Sequence, residues 1–302
     1  MRILAIDGGG IRGYYAAHVL RRIKDTIGSE FHKDFDLIAG TSTGSIIAAA
    51  LAVGIPIERV CSLYEAHGHK IFKPDKLSIG GMLKPSYSQR TLKRILEQEF
   101  GELALKDAKT RLIIPSTDIG NGQVHVFKST YSPDFTRDGN VKISDAVLAS
   151  CSAPKYFRPA YIDPYLLADG GLWANNPSLV AVTEALTRLD EPKDSIHLLS
   201  IGTGIGRNYY SLKRVNSLWG FLTGWGLRRF IEMLLNLQSI HSHNVVSLLL
   251  SGEQFVRINF ETDRSLPLDD PNMLPDLKSR ADRDFTTAST DIERLLRGGH
   301  EA

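Results

Sequence analysis

The chain opens on an apolar run, Arg2-Ile3-Leu4-Ala5-Ile6, that passes directly into Asp7-Gly8-Gly9-Gly10-Ile11-Arg12-Gly13. Five apolar-rich residues suit a buried strand, and the stretch Ile11–Ile27, stopped by Gly28, suits a helix. A strand that feeds a glycine loop and then a helix points to an α/β plan with a parallel sheet. Gly8, Gly10 and Gly13 fit G-x-G-x-x-G, which can cradle a dinucleotide pyrophosphate. The same backbone N–H groups at a helix N-terminus would equally stabilise an oxyanion formed during acyl transfer. The loop alone leaves both open.

The alternation continues. Asp36–Ala39 is expected as a strand, and a helix through Ser45–Val53 follows, ended by Gly54 and Pro56. Ile57–His69 and Ser88–Phe100 have helical patterning, and Lys73–Tyr87 between them is an excursion loop rich in Gly, Pro and Lys. Arg111–Thr117 and Gln123–Lys128 flank Asn121-Gly122, a hairpin signal. Leu166–Ala168 and Ile196–Ile201 suit buried strands, and a helix from Pro177 to Leu189 is capped by Asn176. Trp219 to Leu250 is apolar and aromatic without strand punctuation; Phe255–Phe260 returns as a strand and Arg283–Leu296 as an amphipathic helix. The expected architecture is one α/β domain over 1–302, a mostly parallel central sheet with helices on both faces. Its motif-bearing core spans about 1–205, a helical lid or insertion about 206–252, and a closing strand and helix about 253–302.

Composition narrows the class. The 36 basic and 34 acidic residues nearly cancel, so no nucleic-acid footprint is visible. Two cysteines, Cys61 and Cys151, cannot make a disulfide framework, lie in no metal-ligand spacing and suit small buried hydrophobes. The first apolar run is too short for a signal peptide, and Ile46–Ile55 is about half a bilayer span. These features point to a reducing, cytoplasmic setting.

A second glycine motif, Gly40-Thr41-Ser42-Thr43-Gly44, lies between the strand ending at Ala39 and the next helix. It matches G-x-S-x-G in the strand–turn–helix setting of a nucleophile elbow. Small residues permit the sharp turn, and the helix lends its positive end. A serine needs a base. Of the downstream histidines, His197 suits a strand, His241 and His243 suit a solvated helix face, and His67, His69, His125 and His300 complete the set. None stands in a loop at a strand's end. A carboxylate does: Leu166-Leu167-Ala168 leads into Asp169-Gly170-Gly171, and the glycines admit close backbone approach. A lone aspartate base needs its pKa raised, which burial can achieve.

These three boxes, with Ser152-Ala153-Pro154-Lys155-Tyr156-Phe157 and Asn175-Asn176-Pro177, resemble the patatin-like phospholipase family in order and spacing from residue 7 to 177. The resemblance implies a patatin-like fold and a Ser–Asp dyad without metal or cofactor. Ser42 would attack an ester carbonyl, Asp169 would take its proton, N–H groups of Gly9 and Gly10 would hold the oxyanion, and Arg12 would order that loop. It also implies phospholipase A or lysophospholipase activity. Standalone bacterial members include antiphage effectors switched on by cyclic nucleotides, so such an activator is expected here.

The dinucleotide alternative expects an acid at the end of the second strand, about 20 residues beyond the glycines. That place holds Gly40-Thr41-Ser42, while Asp34 and Asp36 stand at the strand's other end. A catalytically weak storage or interaction protein of the same fold is the third alternative. Tyr209, Tyr210, Trp219, Phe221, Trp225 and Phe230 are interleaved with Lys213, Arg214, Arg228 and Arg229. Such a segment suits either a lid on the core or an amphipathic contact with an anionic phospholipid surface, at the inner face of the membrane.

Overall fold

The computed structural model describes residues 1–74, 78, 81, 84–206, 210–212, 215–216, 218–264 and 266–297. Tyr209, Lys213, Arg214 and His300 lie outside the described residues, as do the side chains of Phe221 and Arg228 and part of the 73–87 loop.

The first half contains β1 (Arg2–Ile6), α1 (Gly13–Ile27), α2 (Phe31–Asp34), β2 (Leu37–Gly40), α3 (Thr43–Val53), α4 (Ile57–Ile71), α5 (Gln89–Phe100), β3 (Arg111–Asp118), β4 (Gln123–Lys128) and α6 (Ile143–Ser150). The second half adds β5 (Ala160–Ile162), β6 (Tyr165–Asp169), α7 (Gly171–Ala174), α8 (Ser178–Arg188), β7 (His197–Ile201), β8 (Ile205–Gly206), α9 (Leu227–Leu249), β9 (Phe255–Ile258), β10 (Glu261–Thr262) and α10 (Leu274–Arg297). Strands β3, β2, β1, β7 and β9 run parallel, while β4, β5 and β6 join antiparallel at the β3 side.

Both sheet faces are covered. Leu4 and Ile6 of β1 pack with α1, α3 and α10 on one face; Ile3 and Ala5 pack with α8 and the end of α9 on the other. The strict two-residue alternation of a strand sends neighbours to opposite faces, so a doubly buried strand must be apolar throughout.

Register at β3 positions the site. Ala39 of β2 pairs with Ile113, and Asp169 of β6 pairs with Ser116. Both Ile113 and Ser116 are paired on their other side to β4, so β2 and β6 share one edge of β3. They run toward each other along it, and their C-terminal ends meet. Pro115, which has no N–H to donate, stands between the two.

Two expectations needed correction. The last helix begins at Leu274 rather than Arg283, because Pro275 sits in its first turn, where a missing N–H breaks nothing. His243 is half-buried against Phe255 rather than solvated, its Nδ1 without a partner among the described residues, while His241 is exposed.

Asp7, just past β1, is held by a group distant in sequence. Arg257 of β9 reaches across β7, donating from Nη1 to Asp7 Oδ1 at 2.8 Å and from Nη2 to Asp7 Oδ2 at 2.6 Å. Nη1 also donates to Ser200 Oγ at 2.6 Å. Removing one partner of a buried ion pair strands the other charge. Arg257→Ala should therefore lower unfolding stability by about 3 kcal/mol in chemical denaturation. A loss below about 1 kcal/mol would mean that Asp7 is adequately held without it.

Candidate active site

The second glycine motif forms the turn between β2 and α3. Its close packing demands the glycines: a Cβ at Gly44 would overlap the carbonyl oxygens of Ile6 and Asp7, and one at Gly40 the Gly44 carbonyl. Ser42 sits at the apex with φ 52° and ψ −126°, a strained conformation for a residue with a side chain. The turn is tied down on several sides. Thr41 donates from Oγ1 to the Ala174 carbonyl at 2.6 Å, and Ser45 Oγ donates to the Ser42 carbonyl at 2.6 Å. The Thr43 hydroxyl bonds that of Tyr64.

The strained turn points the Ser42 hydroxyl at Asp169, the last residue of β6. Ser42 Oγ donates to Asp169 Oδ2 at 2.7 Å. The other carboxylate oxygen, Oδ1, accepts the Gly171 N–H at 2.6 Å, and Gly170 caps the short α7 that follows. Burial pushes the Asp169 carboxyl up to about 7, against the opposing pull of the Gly171 N–H and the Ser42 hydroxyl. Among the described residues no histidine bonds either group or lines the cleft around them.

The first glycine loop packs beside Ser42 and lines the same cleft. The N–H of Gly8 is taken by the Asn175 carbonyl at 2.9 Å, and Thr203 Oγ1 donates to the Gly8 carbonyl at 2.7 Å. Gly10 takes φ 59°, where its hydrogen faces the Leu268 carbonyl with no room for a Cβ. Among the described residues the N–H groups of Gly9 and Gly10 have no acceptor. Arg12 is buried behind the loop and donates from Nε to the Gly9 carbonyl at 3.3 Å. Desolvation lowers its pKa to about 10, so it stays charged. Gly13 begins α1.

The three segments open on one apolar cleft. Ile46, Leu63, Phe72, Leu92 and Phe157 line it, together with Leu235 of α9. Helix α9 is fastened to the site: Gln238 Oε1 accepts the Asn175 N–H at 2.5 Å, and Asn175 Nδ2 donates to Ser239 Oγ at 3.1 Å. Before α9, Tyr210, Trp219 and Trp225 pack edge-to-face, and from its first turn Phe230 packs on Trp225 and Arg229 lies over the Tyr210 ring. The outer side of this region exposes Leu212, Leu218, Leu234 and Leu237. Among the described residues no helix is long and apolar enough to cross a membrane.

Ser42, Asp169 and the glycine loop, expected from separate boxes, thus surround one cavity. Sequence reasoning missed Arg257, whose signal was a charge inside the apolar run Phe255-Val256-Arg257-Ile258. It also missed Gln238 and Ser239, which stand on a helix with no motif.

The chain is similar to proteins of known family. The model of the family described as patatin-like phospholipase matches residues 4–182. A cGAMP-activated phospholipase from Escherichia coli (strain TW11681) is 33% identical over 264 residues, covering 80% of this chain and 74% of its own. A cUMP-AMP-activated phospholipase from Escherichia coli is 30% identical over 286 residues, covering 91% and 84%. VipD from Legionella pneumophila shares the fold, with a TM-score of 0.56 at 14% identity over 99% of this chain and 67% of its own. Matched by that family model over more than half its length and by relatives 33% and 30% identical over most of it, the chain belongs to the patatin-like phospholipase family of lipid hydrolases.

Proposed function

We propose that the chain cleaves acyl esters of membrane phospholipids with Ser42 as nucleophile and Asp169 as base. The observation that carries this reading is the 2.7 Å hydrogen bond from Ser42 Oγ to a buried carboxylate whose pKa lies near 7. At that pKa a substantial fraction of Asp169 is ionised at neutral pH and still basic enough to accept a proton. Ser42 Oγ attacks the ester carbonyl as its proton passes to Asp169. The carbonyl oxygen becomes an oxyanion, which the N–H groups of Gly9 and Gly10 stabilise. Losing one such donor costs about 3 kcal/mol in the barrier. Collapse breaks the ester C–O bond, and Asp169 returns the proton to the departing alcohol. Water then attacks the acyl-Ser42, giving its proton to Asp169, and the fatty acid leaves as Ser42 recovers a proton. The apolar cleft suits an acyl chain.

Replacing Ser42 by Ala or Asp169 by Asn should lower fatty-acid release from mixed phospholipids by at least about 10³-fold, measured by product mass spectrometry. Release that persists in either variant would remove that residue from the chemistry.

The exposed leucines beside the cleft support docking on a lipid surface. Leu234→Asp with Leu237→Asp should reduce hydrolysis of phospholipid vesicles several-fold, yet spare a soluble short-chain ester. An equal effect on both substrates would argue against docking.

The names of the two Escherichia coli relatives support control by a cyclic dinucleotide. Basal hydrolysis should rise when cyclic GMP–AMP or cyclic UMP–AMP is added to the full chain. Full activity with no ligand would contradict this control.

A further inference from the structure

Three consecutive residues at the end of α6 touch both halves of the Ser42–Asp169 contact. Ser150 is fully buried, and its Oγ accepts the backbone N–H of Ser42 at 2.9 Å. The same hydroxyl donates to the Pro115 carbonyl at 2.6 Å. Cys151 follows, its thiol 3.9 Å from Ser45 Oγ in the turn. The Ser152 carbonyl then accepts the Asp169 N–H at 3.1 Å. Pro115 lies at the seam on β3 where β2 and β6 meet. One hydroxyl therefore links the central strand of the site to the nucleophile, two residues from the carbonyl that holds the base.

The elbow needs such a link. Its other ties act on Thr41, Thr43 and Ser45 and on the Ser42 carbonyl and hydroxyl. Among the described residues the Ser42 N–H bonds only to Ser150. Without it, Ser42 has reason to leave its strained φ. A relaxed, helical Ser42 would extend α3 by one residue and swing the hydroxyl off its line to Asp169. We infer that Ser150 is a positioning residue of the acyl-transfer site, holding the Ser42 backbone in the conformation that aims its hydroxyl at Asp169. It touches no substrate, and Ser152 carries the same support to β6.

This inference rests on the Ser–Asp reading, and one experiment separates the two. A fluorophosphonate titrates reactive Ser42 in the full-length wild type and in Ser150→Ala, and turnover of a soluble ester is then expressed per titrated site. The expected result is a fall in kcat per site of about 10- to 100-fold, the scale of leaving one buried donor unpaired, with KM within about twofold. A merely structural role would reduce the number of folded, titratable sites while leaving kcat per site unchanged. Unchanged kcat per site overturns the inference. If Ser150→Ala does not fold, Ser150→Cys takes its place, because a thiol is a weak acceptor of nearly the same shape. It should lose at least about fivefold in kcat per site, and wild-type turnover would be equally fatal. A wild type that is never labelled at Ser42 removes the Ser–Asp reading and this inference together; a labelled wild type with an unaffected variant removes this inference alone.

Discussion

The site depends on two strands that run head to head along one edge of β3. Because β2 is parallel to β3 and β6 antiparallel to it, their carboxyl ends converge on the same gap. Residues 127 positions apart in the chain are thereby brought into hydrogen-bonding contact. A single register slip would turn Asp169 to the other face of the sheet, since side chains alternate along a strand. The side-chain bonds around β6 oppose such a slip: Ser116 Oγ donates to the Ala168 carbonyl and Thr117 Oγ1 to the Asp169 carbonyl, both at 2.8 Å.

In the proposed mechanism, electrostatics turn the contact into a base and a nucleophile. Burial disfavours the charged carboxylate, while one N–H and one hydroxyl favour it, and the balance settles near neutrality. Beside Ser42 the glycine loop presents two backbone donors in a largely apolar cleft, where their field is little screened. That loop begins at Asp7, which Arg257 holds by two hydrogen bonds from the neighbouring side of the sheet. Anchoring the loop at its first residue limits the reorganisation needed when negative charge develops.

Much of this was legible in the chain because its signals are local. A strand, a turn and a helix each leave their mark within a few residues, so Gly40–Gly44 and Asp169–Gly171 could be assigned to strand ends directly. The Asn121-Gly122 hairpin and the Gly28 and Gly54 helix stops were equally local, and each stands where the pattern put it. The support around the site is different in kind. Arg257 meets Asp7 only because β9 lies two strands from β1, and Ser150 meets Ser42 only because α6 ends over the seam on β3. Nothing within a few residues of either position announces its partner. The short β5–β6 hairpin escaped notice for a related reason, since β5 has three residues and too little alternation to register as a strand.

The claim that a buried aspartate alone activates Ser42 is tested most directly by the pH dependence of fluorophosphonate labelling at that residue. Labelling requires the serine to act as a nucleophile, and ionised Asp169 to receive its proton. The rate should therefore rise with pH through a midpoint near 7 and level off above it. A rate that is flat from about pH 5 to about pH 9 would contradict a base with that pKa.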